Sequence, residues 1–196
     1  SFLPEPVGMQ KDGTGTWRCS CRVPSGTHKY RFRIRSLSPF MNGHEVDVTD
    51  PKARLVDESD GDASVVVVRE GQDVTTDPHF QWEHDGFALP DDPELIIYEM
   101  HVGEFGWKDR EGRVGGFRDV IPKLQYLAEL GVNAIELMPA SAFPTDASWG
   151  YNVRHFFAVE NAYGAPSDLK GFVDACHGHG MRVILAGGPG ATERAM

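Results

Sequence analysis

Cysteine is scarce: Cys19, Cys21 and Cys176 are the only three in 196 residues. Three thiols cannot build the paired framework that staples small secreted domains. Cys19 and Cys21 lie two apart in a strand-like run, on one face and badly placed to bridge each other, while Cys176 falls in a helical pattern. Buried, reduced thiols in a reducing compartment are therefore expected. Long apolar runs are absent as well, and none nears the ~18 residues needed to span a bilayer as a helix. Cations are outnumbered, 19 Lys+Arg against 29 Asp+Glu, for a net charge of −10. Such a chain repels phosphate backbones, so neither nucleic acid nor an anionic membrane is expected as a partner. No secretory leader pattern opens the sequence, and Ser1 in place of Met points to cutting or processing. The expected location is the cytoplasm, or a plastid if the source is a photosynthetic eukaryote.

What is present divides into two halves. In the first, Trp17, Cys19, Cys21 and Val23 alternate with polar residues, as do Tyr30, Phe32 and Ile34, around the turn cluster Pro24-Ser25-Gly26. Two period-2 runs about a short glycine-containing turn predict a hairpin with one buried face. Val46 and Val48 begin a third run, stopped at Asp50-Pro51, and Val65 to Val68 read as a strand covered on both faces. The acidic stretch from Asp57 to Asp62 lacks the glycine and distal glutamate of a calcium loop, so a solvated turn is expected and no metal. Residues 1–78 thus read as a small β-sandwich or part of one, and 79–93, with Trp82, Phe87 and Pro90 among acids, as a linker packed on its neighbour.

The second half, 94–196, changes period. Residues 95–98, 134–138 and 183–185 are short apolar runs suited to buried parallel strands. Between them, Phe117, Val120, Ile121, Leu124, Leu127 and Leu130 fall on one helical face, as do Leu169, Phe172, Val173 and Cys176. Asp119 is the expected N-cap of the first helix, Pro122 lies in its first turn, and Gly131 supplies a left-handed stop. The order β-α-β-α-β implies parallel strands with right-handed crossovers, as in a doubly wound sheet or an eight-stranded barrel.

The connection after the second strand runs from Ala140 to Ala165, far beyond the usual ~2–6 residues. It leaves the carboxyl end of a parallel strand, where both architectures place ligands. It carries Phe143, Asp146, Trp149, Tyr151, His155, Phe156 and Phe157. An aromatic loop poor in cations fits a neutral, ring-shaped ligand such as a sugar; aromatics that merely pin the loop are the alternative.

ELIIYEMHVGEF at 94–105, FRDVIPKLQYLAELGVNAIELMP at 117–139, SWGYN at 148–152, FFAVENAYGAPSDLKGFVDACH at 156–177 and GMRVIL at 180–185 together resemble the α-amylase superfamily, the family 13 glycoside hydrolases. Within it the likeness is nearest to 1,4-α-glucan branching enzymes and maltooligosyltrehalose trehalohydrolases. The resemblance implies the first β-α-β-α-β portion of a (β/α)8 TIM barrel behind a partial, carbohydrate-binding-module-like β-sandwich. It implies that Tyr151 stacks on the sugar at the scissile site, with Trp149 and Gly150 shaping the same loop. His101, at the end of the first strand, lies near that face, as a substrate contact or as a histidine satisfied within the protein.

The family's next motif reads Asp-x-Val-Tyr-Asn-His or Asp-x-Val-Pro-Gly-His. Here the aspartate position is Ala186 and the histidine position Ala191, so both polar functions are missing. The glycines at 187, 188 and 190 lack the lysine of a phosphate loop, and Glu193 stands where a dinucleotide fingerprint needs glycine, so no cofactor is expected. In the family the nucleophile and the acid/base follow the fourth and fifth strands, and retaining catalysis needs both. Glu99, Glu104, Glu136, Asp146 and Glu160 offer no matched pair to replace them. No catalytic residue is assigned. The expected partner is an α-1,4-glucan, and the chain alone is expected to be inactive. An N-terminal piece of a branching-type or trehalohydrolase-type enzyme and a non-catalytic glucan-binding scaffold are the two readings. An open parallel sheet also exposes an edge, so self-association is expected.

Overall fold

The computed structural model describes residues 6–106, 114–144 and 149–187. The N-terminal region is antiparallel. β1 (Gln10–Lys11) pairs with β2 (Trp17–Arg18) across a turn organised by Asp12, whose Oδ1 accepts the Thr14 and Thr16 amides at 2.9 Å each. β3 (Gly26–Tyr30) pairs with β7 (Ala63–Arg69), with Gly26 opposite Val68 and Tyr30 opposite Ser64. β4 (Phe32–Arg35) pairs instead with β5 (Glu45–Val48). β6 (Val56–Asp57) and β8 (Gln72–Asp73) complete the β7 sheet.

The expected hairpin between the runs at 17–23 and 30–34 does not form. The first run is a strand only at Trp17 and Arg18, and Trp17, Cys19 and Cys21 are exposed, which corrects the reading of two buried thiols there. The second run splits at Arg31, whose guanidinium turns to the Asp60 and Gly61 carbonyls, so Tyr30 and Phe32 belong to different sheets. The valine-rich β7 offers β3 far more apolar cover than the polar-faced run before it, and that non-local gain outweighs the short loop closure of a hairpin. In β7, Val65 and Val68 are buried and Val66 and Val67 half-buried, in keeping with a strand covered on both faces. The acidic stretch is a capped turn: Asp57 accepts the Ser59 amide at 3.0 Å at the head of a 3₁₀ turn, and Lys29 reaches Asp57 at 2.6 Å and Asp60 at 3.1 Å.

The second half has a parallel sheet of β9 (Ile97–Met100), β10 (Ala134–Leu137) and β13 (Arg182–Leu185) in the order β13-β10-β9. Register places Tyr98 beside Ile135 and Ile135 beside Val183. Crossover helices α1 (Val102–Phe105), α2 (Phe117–Val120), α3 (Leu124–Glu129) and α4 (Pro166–Gly178) cover one face. The core between sheet and helices gathers Met100, Phe117, Leu124, Leu127, Ile135, Leu137, Phe172, Cys176 and Met181. The buried Cys176 agrees with its sequence pattern; burial pushes its thiol well above the ordinary range.

The helix expected from Phe117 to Leu130 is interrupted. Gly116, not Asp119, is its N-cap; Asp119 sits three residues inside and accepts the Gly116 N–H at 3.0 Å. Pro122 lies past the first turn, inside a 3₁₀ turn from Ile121 to Lys123 that joins α2 to α3. Having no N–H, it cannot close the α-helical bond to Arg118, and the tighter turn absorbs the gap. Gly131 takes the left-handed stop as expected, with φ +92.

A further antiparallel pair, β11 (Ser141–Ala142) with β12 (His155–Val159), stands in the connection after β10. It packs on the N-terminal region through a small cluster of Ala53, Val56, Ala142 and Ala158. The segment at 79–93 is held to α4: Asp174 accepts the Glu83 and His84 amides and faces His84 Nδ1, all at 3.0 Å. Burial raises the Asp174 carboxyl, but these bonds outweigh it and hold the group below the usual carboxylate range.

Candidate sugar-contacting face

Strand alternation sets the chemistry of the sheet's two faces. Tyr98, Met100, Ile135, Leu137, Val183 and Leu185 turn to the helices. Glu99 and Glu136, neighbours in register on β9 and β10, therefore occupy the opposite face. Just beyond the carboxyl ends, Trp149 and Gly150 both take left-handed conformations, φ +52 and +88. A Cβ on Gly150 would lie 2.5 Å from the Pro139 carbonyl, so only glycine lets the loop press onto the end of β10.

This turn delivers Tyr151, a residue 57 % exposed, whose hydroxyl donates to Glu99 Oε1 at 3.4 Å. Local desolvation, followed by the negative charges of Glu99 and Glu136, raises its phenol above the ordinary value. Tyr151, Asn152, Val153, Phe156, Pro139 and Gly187 line an open depression of about 360 Å³. Trp149 stands exposed beside it in the chain. Exposed aromatic faces next to a polar-edged hollow can bury the apolar face of a pyranose while its hydroxyls stay hydrated.

The other aromatics of the connection divide. Phe143 packs edge-on against Tyr163, and Phe157 lies under the Arg54 guanidinium at 5.1 Å, so these two pin the loop. Phe156 joins Trp149 and Tyr151 at the surface. His101 is engaged by the protein: Nδ1 accepts the Glu104 amide at 3.1 Å, capping α1, and Nε2 lies 3.0 Å from the Tyr163 hydroxyl. The satisfied histidine is the role these bonds describe.

Ala186 continues the β13–β10 pairing by donating its N–H to Leu137 at 2.8 Å, and presents only a methyl group next to Gly187 in the hollow. Ala191 and Asp146 lie outside the described residues. Among the carboxylates weighed as substitutes, Glu160 is buried and accepts the Phe143 and Ala162 amides, a structural use. Glu104 is exposed on α1. Among the described residues, Glu83, His84 and Asp174 bring possible metal-ligand atoms within 4.8 Å. Asp174 spends its oxygens there on the His84 ring and two amides, which makes the group a brace between the segment and α4.

Of the lining residues, Phe156 was among the loop aromatics the sequence singled out and Asn152 lay in the SWGYN motif, whereas Val153 carried no signal. Sequence reasoning missed Glu99 as the tyrosine's partner, because nothing local links residues 52 apart.

A trehalohydrolase of Saccharolobus solfataricus, described as a malto-oligosyltrehalose trehalohydrolase, is 42% identical over 108 residues, covering 55% of this chain and 18% of that protein. The 1,4-alpha-glucan branching enzyme GlgB of Corynebacterium jeikeium is 35% identical over 174 residues, covering 86% of this chain and 22% of that protein. The chain thus spans under a quarter of the length of either. A crystal structure of a Salmonella typhimurium protein assigned to the alpha amylases superposes with a TM-score of 0.67 at 35% identity, over 93% of this chain and 28% of the other. A GBS pullulanase solved with maltotetraose shares the fold, with a TM-score of 0.67 at 24% identity over 90% of this chain and 27% of that one. Residues 58–187 match the model of the alpha amylase catalytic domain, well over half of the sequence, and the chain belongs to the alpha-amylase family.

Proposed function

We propose that this chain supplies a sugar-contacting part of an α-1,4-glucan-processing enzyme of the branching type, with Tyr151 as the stacking residue and Trp149 as a substrate-binding neighbour that shapes its loop. The parent reaction would cleave an α-1,4 chain, hold it as a glycosyl-enzyme and pass it to a 6-hydroxyl. The observation that carries the reading is the exposed Tyr151 ring, delivered by the left-handed Trp149-Gly150 turn over the carboxyl ends of parallel strands. Residues 94–196 are taken as the opening portion of a TIM barrel, 1–78 as a partial carbohydrate-binding-like sandwich and 79–93 as the linker.

The chain by itself binds glucan without turning it over. Glu99 and Glu136 stand on adjacent strands of one face rather than across a cleft, which does not suit the two carboxyls that a retaining mechanism sets on either side of a scissile bond. A trehalohydrolase-type parent is the second reading, favoured by the higher identity of the Saccharolobus protein over its shorter match. β9 and β13, the outer strands of the parallel sheet, offer edges for self-association.

Amylose co-sedimentation tests the binding: retention of the chain that is lost in Tyr151→Ala is the expected result, and no retention of the unaltered chain overturns the proposal. Iodine staining and a reducing-end assay test the inactivity, which any turnover above blank refutes. A monomeric, cooperatively melting species in size-exclusion and thermal scans would refute the self-association.

A further inference from the structure

Among the described residues, two contacts flank Trp149 and Tyr151 closely, besides the backbone bond from the Arg154 N–H to the Ala142 carbonyl at 2.9 Å. One is the contact of Gly150 on Pro139. The other lies three residues beyond Tyr151, where Arg154 Nη1 reaches across to Asp62 Oδ1 at 2.9 Å and Oδ2 at 3.0 Å. Asp62 belongs to the turn entering β7, so this pair joins the N-terminal sheet to the loop. The Asp62 backbone is itself committed: φ is +58, next to Gly61 at +55, and its carbonyl accepts the Thr49 hydroxyl at 2.7 Å. A non-glycine residue held left-handed is costly unless its surroundings fix it. Its side chain is only 20 % exposed, and His155 Nε2, buried and without a hydrogen bond, lies 3.4 Å from the same carboxylate.

The rest of the β11–β12 pair docks elsewhere. Asn161 donates to the Val56 carbonyl at 2.8 Å, and Ala142 and Ala158 pack on Ala53 and Val56. Those contacts hold β11 and β12. Among the described contacts, the Asp62–Arg154 pair sits at the end of these strands that adjoins Asn152 and Val153, which line the hollow.

We infer that Asp62 is a positioning residue for the sugar platform, gripping Arg154 so that the N-terminal sheet holds Tyr151 and its neighbours in register over the hollow. The inference rests on the glucan reading of that loop, and its test separates the two. Hydrogen exchange is followed in the 196-residue chain and in Asp62→Asn and Arg154→Gln, together with maltoheptaose affinity. The expected result is roughly tenfold faster exchange at the amides of residues 152–154 in both variants, no change along α4, and several-fold weaker maltoheptaose binding. Exchange at 152–154 that stays unchanged, or that rises equally along α4, overturns the positioning role, as does unaltered affinity in a chain that binds. Failure of the unaltered chain to bind maltoheptaose defeats the glucan reading, and with it the role at a sugar platform, while faster exchange confined to the loop would still establish the Asp62–Arg154 anchor alone. Should Asp62→Asn fail to fold, Arg154→Gln, altered at a more exposed side chain, decides the matter by the same criteria.

Discussion

His101 and Tyr163, 62 residues apart, meet through Nε2 and the phenol oxygen at 3.0 Å, while the same imidazole caps α1 through Nδ1. Because Nδ1 accepts an amide N–H, the proton of the neutral ring resides on Nε2, which donates to Tyr163. Burial pushes the Tyr163 phenol well above its ordinary range, consistent with a hydroxyl that stays protonated in this bond.

Removing the imidazole deletes a helix cap and a part-buried hydrogen bond together. His101→Ala is therefore expected to lower unfolding free energy by about 1–3 kcal/mol, and Tyr163→Phe by about 1 kcal/mol. Urea titration followed by circular dichroism checks both; a change below a few tenths for His101→Ala would remove the structural role assigned to it.

Gly150 is expected to tolerate no side chain. A Cβ there would meet the Pro139 carbonyl at 2.5 Å, in a residue whose φ of +88 already disfavours one. Gly150→Ala should cost about 1–3 kcal/mol and weaken amylose retention, since the turn that aims Tyr151 must shift. Retention equal to that of the unaltered chain would show that the turn does not aim the ring.

Acid should loosen the turn at Asp57. Hydrogen bonding from Lys29, then Ser59, holds this carboxyl at about 2, below its ordinary 3.8. A depressed carboxylate contributes its stabilisation in full above the unfolded value and loses it as pH falls through the folded one, so the loss runs from about pH 4 down to 2. In Lys29→Gln the Asp57 carboxyl should titrate upward toward its ordinary value, measurable by NMR; no movement would contradict the ion pair as the cause.

Thiol labelling offers a direct check on the corrected cysteines. Cys19 and Cys21 are exposed and Cys176 is fully buried with its thiol pushed up by desolvation. A disulfide reagent should modify two thiols rapidly in the native chain and the third only after denaturant is added. Three fast thiols would mean that the helix–sheet core opens readily.

Elements with a local, periodic signal were legible in the residues alone. α4 runs from Pro166 to Gly178 where the apolar spacing places it, and β10 and β13 fall within a residue of their apolar runs. Gly131 takes the left-handed stop that ends its helix. Trp149 and Tyr151 could be singled out because motif and loop length lie in contiguous residues. Choices that depend on distant partners were made only in the folded chain. The choice of β7 over a nearby run as the mate of β3 turned on apolar cover far along the chain, from Tyr30 opposite Ser64 to Gly26 opposite Val68, which no local period encodes. The bond from Tyr151 to Glu99 and the ion pair from Arg154 to Asp62 span 52 and 92 positions. Side-chain charge and hydrogen-bonding capacity are written in the chain, but the partner that satisfies each is selected only when packing brings the two within about 3 Å.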